Sequence, residues 1–231
     1  MDREALGENF SSQNDNLEVI NIRRGAFGET VAFGFSDGSS FFVHPEAAVE
    51  YSVRIGSKFS IEELREILFR SAGFAARDKA VEYLARREHS ASELILKLRK
   101  KDYDWDTAAA AVDMLIEKGY VNDLRFARMW VESRLKKHPE GRSSLAAGLA
   151  RKGVSRDTTN EVLDELLTEE SQDDALSRCI EKYLRTRSAE SRKLVNHLLR
   201  RGFKYGDIKR HIAGLDAFNE ENEMEFSDNE Q

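Results

Sequence analysis

Two leucines four residues apart, followed five residues later by a bulky apolar residue, recur three times in this chain. The copies are Leu94, Leu98 and Tyr103; Leu145, Leu149 and Val154; and Leu194, Leu198 and Phe203. Their first leucines are separated by 51 and 49 residues. Leucines at i and i+4 share one helix face, because each residue turns an α-helix by about 100°. In two copies a glycine, Gly153 or Gly202, follows a basic pair, Arg151-Lys152 or Arg200-Arg201. Glycine takes the left-handed cap conformation cheaply, and cations favour the negative end of the helix dipole. Each copy therefore reads as a helix, a tight turn and the start of another helix. Such units cannot bury their apolar faces alone and stack into arrays.

The fold class that follows is mainly α: tandem three-helix repeats forming an elongated array, preceded by a small antiparallel β (α+β) N-terminal domain. Residues 1–16 are polar and expected to be disordered. Residues 17–74 form the small α+β domain. Within it, strands are expected near Leu17–Ile22, Thr30–Phe35 and Phe41–Val43, with Ser36-Asp37-Gly38-Ser39 as a hairpin turn. Pro45 starts a short helix, and Ser60 with Glu63 forms a capping box for the next. The repeats occupy 75–121, 122–169 and 170–215. Their expected helices are 75–88, 90–101 and 105–118; 123–137, 142–152 and 155–168; and 171–186, 188–201 and 205–214. Residues 216–231 read as an acidic disordered tail.

Net charge, −6 overall, is distributed unevenly. Residues 1–76 carry 7 Lys and Arg against 12 Asp and Glu, whereas 77–215 carry 29 against 23. The last sixteen residues hold seven acids and no base. The repeat region alone is therefore a plausible polyanion binder, although the whole chain is acidic. A single cysteine, Cys179, excludes an intramolecular disulfide framework and a multi-cysteine zinc site. With no long apolar run and no signal-like N-terminus, a cytoplasmic monomer is expected, with no membrane association.

Catalytic signatures are weak. Gly25-Ala26-Phe27-Gly28 superficially resembles a kinase glycine loop, but the partner motifs are missing, so it reads as a hairpin turn. The five histidines show no metal-ligand spacing. No catalytic residue, cofactor or metal site is assigned, and the chain is expected not to be an enzyme. Between Ser177 and His211, however, eleven Lys and Arg face three Asp and Glu. Residues expected to contact a filament or DNA are Lys136, Lys137, Arg142, Arg151, Lys152, Arg192, Lys193, Arg200, Arg201, Lys204, Lys209 and Arg210. Phe203 occupies a core position in its repeat, which favours burial over base stacking.

Gly119-Tyr120-Val121-Asn122-Asp123-Leu124-Arg125-Phe126-Ala127 is the most specific string in the chain. Tyr120 is expected to pack across a repeat junction and Phe126 to begin an apolar face, so both join the repeat core. The string resembles the signature of the RecX family, regulators of the RecA recombinase. Ala80, Leu84, Arg87 and 90–98 resemble that family's first repeat, and Gly141, Leu145, Leu149, Lys152 and Gly153 its second. The resemblance implies a non-enzymatic, negative regulator of RecA. It would lie in the groove of RecA–single-stranded DNA filaments and modulate ATPase and strand exchange in DNA repair. The alternative is a nonspecific binder of single- or double-stranded DNA that acts by competing for DNA. The proposed register makes Leu98→Asp unfold the first repeat, since it places an unpaired charge in a core. A circular dichroism melt unchanged by that substitution would contradict the register.

Overall fold

The computed structural model describes residues 16–25, 30–185 and 191–213. The chain divides into two compact units, 1–122 and 123–231. The first unit begins with an antiparallel sheet of order β3-β2-β1-β4, comprising β1 (Leu17–Arg24), β2 (Val31–Phe35), β3 (Ser40–Val43) and β4 (Lys58–Phe59). The sequence predicts three of these strands. The two-residue β4 pairs Phe59 with Leu17 and Lys58 with Glu18, too short a run to show alternation. A bulge between Val19 and Asn21 shifts the register of β1 against β2. Leu17, Val19, Phe33, Phe35 and Val43 bury one face of the sheet against helical Leu64 and Ile67.

Helix α1 (Pro45–Glu50) is capped by the His44 side chain, and α2 (Ile61–Leu84) begins at the Ser60–Glu63 capping box. The domain boundary expected between 74 and 75 falls inside α2, which runs unbroken for 24 residues. One helix thus serves two cores. Leu64 and Ile67 pack on the sheet, whereas Ala76 and Ala80 join the first repeat. Gly73 is buried within the helix, where an added Cβ would lie 3.6 Å from Met114. Arg77 fastens α1 to this helix with a bidentate pair to Glu46 at 2.7 and 2.6 Å, and its guanidinium lies over Phe74 at 5.0 Å. Hydrogen bonding from Arg77 holds the Glu46 carboxyl below its ordinary range.

Beyond the sheet, three sets of helices each close on a separate cluster. The first set is α2 with α3 (Ala91–Arg99) and α4 (Trp105–Glu117), around Leu94, Leu98, Ala111 and Leu115. The second is α5 (Asp123–Lys137), α6 (Arg142–Ala150) and α7 (Arg156–Leu166), around Phe126, Leu145, Leu149 and Val154. The third is α8 (Glu169–Leu184), α9 (Ser191–Arg200) and a helix over 205–213, α10, around Leu194, Leu198, Phe203 and Ile208. Tyr103 packs, partly buried, against the first cluster.

Tyr120 departs from expectation. It is 59% exposed, and Val121 takes the core position instead. The cause is the end of α4. Gly119 has φ +72°, its N–H donates to the Ile116 carbonyl at 2.9 Å, and the Tyr120 N–H donates to Leu115 at 2.9 Å. These two bonds form a Schellman turn. After this reversal the core position falls to Val121.

The same turn closes the middle helix of the second and third repeats. The Gly153 N–H bonds Ala150 O and the Val154 N–H bonds Leu149 O; Gly202 and Phe203 bond Leu199 O and Leu198 O in the same way. In the first repeat the left-handed residue is Asp102, with φ 67°. Arg99 steadies that turn by donating to the Tyr103 carbonyl at 2.8 Å. A left-handed aspartate costs about 1 kcal/mol, whereas burying one leucine contributes about 2 kcal/mol, so the leucine pair keeps the turn without glycine.

Gly202 is held more tightly. A Cβ there would lie 2.3 Å from the Ser144 backbone nitrogen, and φ is +88°. Gly202→Ala is expected to destabilise by about 2–3 kcal/mol. Asp102→Gly is expected to be neutral or to stabilise by up to about 1 kcal/mol. Denaturant melts of the two variants check this, and a Gly202→Ala midpoint equal to that of the parent would refute the close approach.

Candidate polyanion-binding surface

The loop between α5 and α6 and the turn between α9 and α10 are 60 residues apart in sequence, and the fold joins them backbone to backbone. The Gly141 N–H donates to the Arg201 carbonyl at 2.9 Å. The Ser143 N–H and hydroxyl both donate to the Gly202 carbonyl, at 3.3 and 2.9 Å. The first N–H groups of α6 have no partner within their own helix, and neither do the Arg201 and Gly202 carbonyls just past the end of α9. Here they satisfy one another, with the positive end of one dipole against the negative end of the other. Glycine is required on both sides, because a Cβ on Gly141 would lie 2.2 Å from the Gly202 carbonyl oxygen.

Beneath the loop, Glu140 is only 3% exposed. Arg134 pairs with one of its oxygens, and the Ser144 hydroxyl donates to the other at 3.3 Å. Arg134 also lies over the Trp130 ring at 5.5 Å. A buried carboxylate needs such partners, since burying it alone would cost several kcal/mol. The loop is therefore anchored from below, and its breaker residues Pro139 and Gly141 belong to a built junction.

This junction gathers part of the basic set. Lys136 and Lys137 end α5, Arg142 starts α6, and Arg200, Arg201 and Lys204 surround the turn that receives Gly141. The side chains differ in availability. Arg142 pairs with Asp164 at 2.7 Å, and Arg210 pairs with Asp207. Among the described residues, no carboxylate lies within salt-bridge reach of Lys136, Lys137, Arg200, Arg201 or Lys204. Arg151 and Lys152 lie at the far end of α6, about 13 Å along the helix from the junction. Arg192 and Lys193 lie at the opposite end of α9 from Arg200, with Arg192, Lys193 and Arg200 on one exposed side. Lys209 is exposed on α10. The twelve basic residues thus form a junction cluster and outlying groups, not a single patch.

The first repeat carries a basic pair that the sequence reading passed over. Lys100-Lys101 stands before Asp102 as Arg151-Lys152 stands before Gly153 and Arg200-Arg201 before Gly202. Aligning the copies on the second leucine would have revealed it; using glycine as the landmark concealed it.

His44, Glu46 and Asp78 also converge, each offering an atom within 4.8 Å of the others. The Arg77 guanidinium bonds both carboxylates, and His44 Nε2 lies 3.1 Å from Asp78. This is an ion-pair network joining α1 to α2, in which arginine already supplies the positive charge. Among the described residues, no helix is long and apolar enough to cross a membrane.

Together the architecture and this surface define a tandem three-helix-repeat protein with a basic junction between repeats. The family model for the first three-helix domain of RecX matches residues 76–120, and that for the second matches 122–163. Regulatory protein RecX of Treponema pallidum (strain Nichols) is 31% identical over 159 residues, covering 69% of this chain and 96% of that protein. The chain belongs to the RecX family of regulatory proteins. Two solved structures share the fold. A crystal structure of regulatory protein RecX has TM-score 0.70 at 15% identity, covering 84% of this chain and 97% of its own. RecX from Lactobacillus salivarius has TM-score 0.56 at 24% identity, covering 63% and 97%.

Proposed function

We propose that this protein regulates the RecA recombinase by binding RecA–single-stranded DNA filaments through its repeats, lowering ATP hydrolysis and strand exchange. The observation that carries the reading is the junction of the α5–α6 loop with the α9–α10 turn. There, uncompensated cations from two repeats are fixed together by backbone hydrogen bonds. A preorganised cationic surface meets phosphates or an acidic protein groove without the ordering cost that flexible lysines would bear. Family membership supplies the regulatory role. Binding, not turnover, is the activity assigned, in the cytoplasm and with the chain as a monomer.

Contacts along a filament would be individually weak, because exposed ion pairs contribute about 0–1 kcal/mol each. Several contacts on one chain act together through effective concentration, so an extended cationic surface can bind firmly without a deep pocket. The competing reading is a nonspecific DNA binder that depletes DNA from the recombinase; the same uncompensated cations favour it. The concentration at which inhibition sets in, compared with that which saturates bare DNA, separates the two.

The parent protein is expected to inhibit ATP hydrolysis by preassembled filaments well below the concentration that saturates bare DNA at the same salt. Arg200→Glu combined with Arg201→Glu is expected to weaken bare-DNA binding at least about tenfold and to raise the concentration needed for inhibition, since the junction meets the filament. Inhibition by the parent that sets in only at concentrations that saturate bare DNA would favour competition for DNA. No inhibition by the parent protein would reject the regulatory reading.

A further inference from the structure

Superposed on their left-handed residues, the three turns share a second feature besides the basic pair. Three residues beyond Asp102, Gly153 and Gly202 stand Trp105, Arg156 and Tyr205, each the first residue of the helix that follows. The intervening positions have structural duties. Tyr103, Val154 and Phe203 pack into their clusters, and Asp104 and Ser155 cap α4 and α7. The first helical position has no such duty, yet it holds a flat side chain in every repeat. Trp105 is 57% exposed, Tyr205 is 61% exposed, and Arg156 is exposed.

Folding does not account for this choice. The first position of a capped helix tolerates many small or polar residues, and an aromatic ring left in water contributes little to stability. Tryptophan, tyrosine and arginine have one relevant property in common: a planar π face that stacks on nucleobases. The Cα–Cβ bond of a helical residue tilts toward the helix N-terminus. Each planar group therefore leans toward the turn that carries Lys100-Lys101, Arg151-Lys152 or Arg200-Arg201.

We propose that the turn before the last helix of each repeat is a single-stranded nucleic-acid contact, in which the basic pair meets phosphate and Trp105, Arg156 or Tyr205 stacks on a base. A polymer of similar nucleotides can satisfy the same element three times, whereas an acidic protein surface has no use for a planar group at a fixed offset. Duplex bases are already stacked on their neighbours, so the element selects single strands. The turns differ in charge. Asp102, Asp104 and Asp106 surround the first, while Asp157 and Asp207 are the nearest acids in sequence to the second and third. The Trp105 turn is accordingly the weakest.

The inference deepens the DNA-contacting part of the proposed function and rests on it. Its test is binding of the full chain to a fluorescent oligothymidylate and to a duplex of equal length, across a salt series. Tyr205→Ala is expected to lower oligothymidylate affinity about tenfold without altering the salt slope, and Trp105→Ala to lower it by less. Tyr205→Phe keeps the ring and should bind within about twofold of the parent. Arg200→Ala with Arg201→Ala should reduce the slope of log affinity against log salt by about 1.4, near 0.7 per phosphate on a single strand. All four positions lie outside the buried clusters, and melts of the variants confirm that folding is intact.

Three outcomes overturn the proposal: alanine variants that bind like the parent, equal losses on duplex, or a parent that does not bind oligothymidylate. Filament ATPase, measured in parallel, keeps the two readings distinct. A parent protein that binds oligothymidylate through Tyr205 but leaves ATPase unchanged refutes the regulator and preserves the turn. Full inhibition by variants with unchanged oligothymidylate binding does the reverse.

Discussion

A left-handed residue at the end of each middle repeat helix is the constraint on which the rest depends. Leucines four apart define an apolar helix face, but a helix that ran on past them would carry the next apolar residue away from the core. Reversing the backbone at Asp102, Gly153 and Gly202 allows Tyr103, Val154 and Phe203 to return to the clusters that hold the leucines. The chain then starts another helix within three residues. Each reversal also brings charge to the surface, since the basic pair just before it sits at the negative end of a helix dipole, where cations are favoured. Core formation and the presentation of basic groups therefore have a common geometric origin.

In the third repeat the turn acquires a further role. Close approach of Gly141 to Gly202 lets the N-terminal donors of α6 meet the Arg201 and Gly202 carbonyls just past α9, so two sets of otherwise unpaired backbone groups are satisfied together. The consequence is electrostatic. The loop that follows Lys136 and Lys137 is docked on the turn that carries Arg200 and Arg201. Backbone bonding and the buried Arg134–Glu140 pair hold it there. Cations that have no carboxylate within reach among the described residues are left to meet a polyanion. The net acidity of the chain does not weaken this argument, because charges separated by more than about 8 Å are largely screened at physiological salt.

Much of this was legible in the sequence. The leucine periodicity located the repeat helices, and the Ser60–Glu63 pair located the start of α2, because caps and apolar faces are local signals. The end of the first domain was not legible: α2 passes through residue 74 because each half of it finds a different core, a tertiary fact. Tyr120 was misplaced because a signature string identifies residues without showing which of two neighbours follows the reversal at Gly119. The basic set was visible as composition, but its division into a junction and outlying groups required the Gly141–Arg201 and Ser143–Gly202 hydrogen bonds, which join residues 60 and 59 apart. Lys100-Lys101 escaped notice because aspartate can take the same left-handed turn as glycine.

The proposed function makes the junction of the α5–α6 loop with the α9–α10 turn the surface that meets the recombinase filament. Amide hydrogen exchange of the full chain, free and bound to preassembled RecA–single-stranded DNA filaments, tests it most directly. Slower exchange is expected in 136–144 and 199–205 on binding, beyond any slowing produced by bare single-stranded DNA at matched saturation. Unchanged exchange in those segments, with protection confined to the N-terminal sheet or to repeat faces away from the junction, would contradict it.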